Sequence, residues 1–233
     1  MIQHNPETEV NDNQENYIRE LNEAYWPLKP LERLEKLFDE QDHEEILVTS
    51  SFGTTSGILM GMITHVAPGH PIHFIDTTFC FRKTIGYKEA LTRLLGLNIV
   101  NVLPEIEDNA EARETEMWLS NKDQCCHINK VKPFEPYKQG KKFWVSGLLM
   151  NATPFRENLD IFESRGGIIK MHPNIDTTAE GFEKFLIDNF IPPHPLVSEG
   201  YDSVGCTHCT AQGTGRSGRW QGSTKTECGL HTT

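Results

Sequence analysis

From residue 46 onward the apolar positions fall into short blocks, and polar or glycine-rich punctuation separates them. ILV at 46–48, IHFID at 72–76, NIVNVLPE at 98–105, KKFWVSG at 141–147 and GGIIKMH at 166–172 are short and nearly continuous. Strands buried on both faces read this way. Between them, SGILMGMITHV at 56–66 and KEALTRLLG at 88–96 follow helical spacing. TAEGFEKFLIDNF at 178–190 adds a late helix, with Thr177 or Thr178 as its cap. Upstream, residues 15–40 carry helical spacing that breaks around Pro27 and Pro30. Strands alternating with helices predict an α/β fold: a mostly parallel sheet with helices on both faces.

The two ends are different in character. Residues 1–14 are polar and predict a loosely attached arm. Beyond residue 190 the chain is rich in Pro, Gly, Ser and Thr, which predicts loops and a mobile tail. The expected organisation is an arm over 1–14, an α/β domain over 15–205, and a C-terminal segment over 206–233. No internal repeat is present.

Composition narrows the partners. The chain has 233 residues and a net charge of −11, which argues against general binding to nucleic acid or an anionic membrane. No apolar run reaches the roughly 20 residues of a membrane helix. The N-terminus lacks the basic-then-apolar order of a signal peptide. The protein is therefore expected to be soluble and cytoplasmic, with no nucleic-acid and no membrane partner.

Three clusters carry candidate chemistry. The first is SSFGTTS, residues 50–56, which links the first strand to a helix. Backbone N–H groups at such a junction bind anions. Gly53 allows an unusual turn, and Ser50, Ser51, Thr54, Thr55 and Ser56 add hydroxyl donors. No Gly-Lys-Ser/Thr follows, so it is not a Walker loop.

The second cluster is the cysteines. Cys125-Cys126 and Cys206-x-x-Cys209 form two pairs. In a reducing compartment four gathered thiols suit zinc or an iron–sulfur cluster, and spacing leaves the metal open. Cys80, between Phe79 and Phe81, reads as a small buried hydrophobe. Cys228, five residues from the end, is placed to react and to be handed to a partner. His231 and Lys225 favour its thiolate, and Glu227 opposes it.

The third is a set of cations in an acidic protein. Arg216 and Arg219 lie in GRSGRW, and Lys130 follows Cys126. Arginine forks fit phosphate and sulfate oxygens.

SSFGTTS, the CC pair with Lys130, GYDSVGCTHCT, GRSGRW and KTECGLH occur in that order over residues 45–233. In this the chain resembles the assimilatory adenylylsulfate (APS) and phosphoadenylylsulfate (PAPS) reductases. The four paired cysteines resemble the branch that carries a [4Fe-4S] cluster, mostly APS reductases. The resemblance implies an adenine-nucleotide PP-loop fold with a flexible C-terminal tail. It implies that Cys228 attacks the sulfur of APS to give an S-sulfocysteine, which thioredoxin or glutaredoxin then reduces to release sulfite. Cys125, Cys126, Cys206 and Cys209 would hold the cluster. Ser50, Ser51, Phe52, Gly53, Thr54, Thr55 and Ser56 would cradle the nucleotide's phosphate side. Lys130, Arg156, Arg216 and Arg219 would contact the anionic groups, with His231 beside the nucleophile. Family enzymes are often oligomers, so a homo-oligomer is an expectation by analogy.

The chain departs from the family pattern at four positions. Leu149 and Met150 stand where arginines are expected, Thr78 replaces a glycine, and Lys83 replaces a glutamate. Three other functions fit parts of the sequence: the same chemistry on PAPS, a non-catalytic iron–sulfur nucleotide-binding protein, and a zinc-bound ATP-pyrophosphatase-type enzyme.

Overall fold

The computed structural model describes residues 6–150 and 156–232, apart from the side chains of residues 6–12, 231 and 232. Two helices open the chain, α1 (Pro6–Tyr25) and α2 (Pro30–Glu40). Pro30 starts α2, at a position where a missing N–H costs nothing. α1 begins inside the stretch expected to be an arm. Its inner residues Tyr17, Ile18 and Leu21 pack on the core, and a helix nucleated there extends outward at one hydrogen bond per residue.

The next segments alternate: β1 (Ile46–Ser50), α3 (Ser56–Val66), β2 (Pro71–Ile75), α4 (Arg82–Leu95) and β3 (Asn98–Val102). A run of short helices follows, α5 (Ile106–Glu114), α6 (Met117–Ser120), α7 (Lys122–Cys126) and α8 (Lys132–Phe134). A π turn over His127–Val131 joins the last two. The chain then forms β4 (Phe143–Val145), β5 (Phe162–Arg165), β6 (Ile168–Met171), α9 (Ala179–Asp188) and the terminal α10 (Gly229–Thr232).

The six strands form one sheet in the order β3-β2-β1-β4-β6-β5. Every neighbouring pair is parallel except β5 with β6. β5 is absent from the sequence pattern because only Phe162 in FESR is apolar. Gly166 and Gly167, at φ 54° and 81°, make its hairpin turn and do not belong to the following strand. Both central positions of such a turn need positive φ.

Alternate strand residues feed two cores. Ile46, Val48, Phe143 and Val145 pack under α2, α3, α4 and α9 in the larger one. Leu47 and Trp144 face the other way, onto Phe134 of α8. Helices therefore cover both faces, as the strand pattern requires. Thr178 caps α9: its hydroxyl accepts from Gly181 N–H at 3.1 Å.

This strand order sets the position of the site. From β1 the chain steps outward to β2 and β3, then crosses back to β4 on the far side of β1. Loops leaving β1 and β4 therefore diverge, and a crevice opens between them at the carboxyl ends of the strands. Open α/β sheets bind ligands there.

One buried and one half-buried imidazole make the fold acid-sensitive. Burial pushes both His70 and His194 down to about 4. His194 Nδ1 accepts from Leu196 N–H at 3.1 Å and Nε2 faces the Thr84 hydroxyl at 3.2 Å, which suits a neutral ring. The unfolded chain takes up these protons near pH 6.5 and the folded chain only near 4, so stability falls as pH drops between the two. His194→Asn is expected to reduce the fall in melting temperature between pH 6.5 and 4.5 by roughly 2–4 °C. Thermal melts across that range would check it.

Candidate active site

The β1–α3 loop forms one wall of the crevice, with Ser50, Ser51, Gly53, Thr54, Thr55 and Ser56 all lining it. Phe52 does not. Its side chain is fully buried and packs edge-on to Phe74, with ring centres 5.6 Å apart. The unusual backbone also belongs to Phe52, at φ 47°, and not to Gly53. Burying that ring anchors the loop from below and turns the neighbouring small residues toward the crevice. The Thr54 hydroxyl donates to Asp202 C=O at 2.6 Å, tying this loop to the Tyr201–Gly205 segment opposite. The floor comes from Ser146 and Gly147, just after β4.

The C-terminal segment is seated in the crevice. Cys228 lies on its lining, with Sγ 3.8 Å from Lys130 Nζ. The π turn carries Lys130; its extra residue per turn shifts which side chains face the crevice. The Cys228 thiol is held well below its ordinary range by a hydrogen bond from the Cys126 thiol, which outweighs burial. Lys130, the Leu230 N–H and Arg219 lower it further. Burial works against charge on Lys130, but the neighbouring cysteine sulfurs outweigh it and hold the ammonium firmly protonated. The side chain of His231 lies outside the described residues, as do residues 151–155.

Arginines close the other wall. Arg219 donates to the Ser203 hydroxyl at 3.2 Å and to Val204 C=O at 3.3 Å. Arg156 grips Glu227 with two bonds, of 2.7 and 2.9 Å, and Arg216 adds a third at 3.3 Å. Burial weakens the hold of Arg219 on its proton and takes Arg216 down to about 10. Among the described residues the Nε atoms of Arg216 and Arg219 are buried without a hydrogen-bond partner. Such a group costs free energy unless an acceptor arrives, and an anionic substrate is one. Trp220 supports this wall from behind. Arg219 and Arg216 lie 4.4 and 5.3 Å from its ring centre, and Lys225 lies 6.0 Å away.

Arg219 also depends on a glycine. A Cβ on Gly205 would stand 2.3 Å from Arg219 Nη2. Gly205→Ala is expected to move that guanidinium while leaving the backbone in place. Turnover should fall roughly 10²-fold, with a melting temperature within about 4 °C of the parent. Steady-state kinetics beside a thermal melt would check this.

The four paired cysteines converge on a second, smaller pocket next to the first. Cys125, Cys126, Cys206 and Cys209 all line it, with Trp118, Phe79 and Trp220 around them. Sulfur-directed donors are present: the Thr77 hydroxyl lies 3.2 Å from Cys206 Sγ, and Asn129 Nδ2 donates to Cys125 Sγ at 3.8 Å. Burial and then the neighbouring thiols push Cys125 up to about 11, and Cys209 rises for the same reasons. The hydrogen bond to Cys228 and burial raise Cys126. Cys125, Cys126 and Cys209 thus resist ionising side by side, and a cation among them would offset that. Among the described residues no three His, Cys, Asp or Glu side chains close around one metal ion. The all-thiol donor set, with hydrogen bonds aimed at sulfur, matches what a polynuclear iron–sulfur group needs.

Several residues have roles that spacing did not reveal. Cys80 lies in the crevice beside Cys206, with which it forms an isolated β-bridge. Burial, then Cys206, lifts its thiol to about 12, so it stays protonated. Ser146 touches His172 Nδ1 at 2.9 Å, and His172 Nε2 faces Glu163 at 3.1 Å. Thr78 holds φ 63° where a glycine was expected; its backbone N–H donates to Asp76 at 2.8 Å and its hydroxyl to Asn109 at 3.0 Å. Lys83 pairs with Glu199 at the surface and does not line the crevice. Met150 packs against the main core, so it supplies no anion contact.

A sheet crevice walled by guanidinium groups, with the Cys228 thiol on its lining, defines an α/β enzyme suited to a small anion. The phosphoadenosine phosphosulfate reductase domain matches residues 45–212. The chain is 36% identical over 217 residues to the adenosine 5'-phosphosulfate reductase of Mesorhizobium japonicum, covering 91% of this chain and 85% of that protein. It is 35% identical over 182 residues to the enzyme of the same name from Mycobacterium tuberculosis, covering 75% and 72%. This protein belongs to the phosphoadenosine phosphosulfate reductase domain family. The fold agrees. The phosphoadenylyl-sulfate reductase of Candida auris superposes with a TM-score of 0.72 at 24% identity, over 84% of this chain and 97% of that one. The FMN adenylyltransferase of Candida glabrata, in complex with ATP, gives 0.55 at 15% identity, over 90% and 75%.

Proposed function

We propose that this protein reduces adenosine 5'-phosphosulfate to sulfite and AMP in sulfate assimilation, with Cys228 as nucleophile and a thioredoxin-like dithiol as reductant. The carrying observation is the Cys228 sulfur, which lies 3.8 Å from Lys130 Nζ within a crevice walled by arginines. The thiolate attacks the sulfuryl sulfur; an S–S bond forms, the bridging O–S bond breaks, and AMP leaves with the electron pair. Negative charge grows on the leaving phosphate oxygens. Arg216, Arg219 and the β1–α3 loop line the same crevice and would meet that charge. A dithiol then attacks Cys228 Sγ and sulfite departs, carrying the sulfur reduced by two electrons. The second thiol of the donor resolves the mixed disulfide, and Cys228 returns reduced.

Cys125, Cys126, Cys206 and Cys209 would hold a [4Fe-4S] cluster beside Lys130. Bound there, it supplies fixed charge that tunes the anion pocket, while the dithiol supplies the electrons. Among the described residues no helix is long and apolar enough to cross a membrane.

The test is anaerobic incubation with APS, then mass spectrometry of the C-terminal peptide. Addition of one sulfonate group on Cys228 is expected, and an unmodified peptide with sulfite still formed would overturn the reading. Parallel kinetics with PAPS decide the substrate; a strong preference for PAPS would replace APS in this proposal.

A further inference from the structure

Two buried charges of the protein body hold the tail on either side of the reactive cysteine. One residue before it, Glu227 is 4% exposed and takes both bonds of Arg156, itself 7% exposed. Two residues after it, the Leu230 carbonyl accepts from Lys170 Nζ at 2.7 Å. Lys170 stands on β6 with no exposed surface, its ammonium 4.1 Å from the Trp144 ring centre. Between these anchors Cys228 Sγ meets Lys130.

Such contacts have two consequences. A bidentate guanidinium–carboxylate pair fixes orientation as well as distance, so the backbone around Cys228 cannot rotate freely while both anchors hold. A buried charge stripped of its partner is costly, so each anchor resists the tail's departure. Yet the tail must depart for Cys228 Sγ, seated in the crevice beside Lys130, to meet a protein dithiol.

We propose that Glu227 and Lys170 are positioning residues, a two-point clasp that aims Cys228 at the substrate and sets how often the tail leaves to present its sulfur to the reductant. The proposal rests on Cys228 being the nucleophile. The clasp holds at residues 227 and 230, and Lys170 is matched to a backbone carbonyl, so its function does not depend on the side chain of Leu230.

The experiment uses the full-length protein without substrate. Alkylation of Cys228 by N-ethylmaleimide and tryptic cleavage after Lys225 are followed by mass spectrometry of the C-terminal peptide. In Glu227→Gln and Lys170→Met both rates are expected to rise about 10-fold, and Lys170→Arg should restore most of the protection. Glu227→Gln is isosteric and guards against a folding defect in the Lys170 variant. In single turnover with APS, sulfonation of Cys228 should slow at least 10-fold, with KM within about 3-fold. Unchanged alkylation and cleavage in both variants would overturn the clasp. So would unchanged tail exposure with a lower KM in Glu227→Gln, because Glu227 would then merely occupy the anion site. Absence of sulfonation in the parent would defeat the functional reading alone, since the two exposure measurements need no substrate.

Discussion

Cys228→Ser is expected to lower sulfite release from APS by at least about 10³-fold. Serine has nearly the same shape, so the tail should still seat and AMP should still bind. What disappears is a nucleophile that can ionise. No other cysteine replaces it: Cys80 remains a neutral thiol at about 12, and the other four are gathered in the adjacent pocket. The checks are sulfite production over time and the mass of the C-terminal peptide after anaerobic incubation with APS. Undiminished sulfite production by the serine variant would rule out covalent chemistry at this position.

The second large effect is expected from Cys206→Ser. Cys206 is a point of convergence. Its sulfur meets the Thr77 hydroxyl at 3.2 Å, its backbone bridges to Cys80, and it lines both the crevice and the sulfur pocket. Losing that sulfur should reduce iron and acid-labile sulfide per chain, bleach the brown visible absorption, and cut turnover more than about 10²-fold, beyond the effect typical of altering a ligand's supporting contacts. Cys80→Ala is the control. It removes a neighbouring thiol of similar burial, and it should keep its colour and iron. Colour retained in Cys206→Ser and lost in Cys80→Ala would reverse the assignment of ligands.

The fold was largely legible because parallel strands buried on both faces must be continuously apolar, and ILV, IHFI and FWV have no other reasonable place to go. The helices between α5 and α8 were not legible. α5 buries only Ala112, so it leaves no apolar stripe to read. The N-terminal stretch misled for a related reason: its first residues show no apolar periodicity, although the helix runs through them to reach the core contacts of Tyr17 and Leu21.

The site divides along the same line. The cysteine pairs, Lys130 and the arginines of GRSGRW were visible as residue types whose chemistry has few alternative uses. Phe52 was misread as a cradle residue because a loop sequence does not say which of its side chains turns inward. Trp220, Ser146, His172 and Lys170 were missed, because an aromatic, a serine, a histidine and a lysine in ordinary positions carry no local signal of what they will meet.

The chain's order of residues alone therefore determined the layered sheet, a thiol near the end and four sulfurs spaced in two pairs, since periodicity and residue spacing are local properties. Only tertiary structure decided that the tail docks, that Glu227 falls into the grip of Arg156, and that Lys130 lines both the Cys228 crevice and the sulfur pocket. Those outcomes bring together positions 71 and 98 residues apart, and Coulomb energy in a buried crevice depends on distance through space, which no spacing along the chain records.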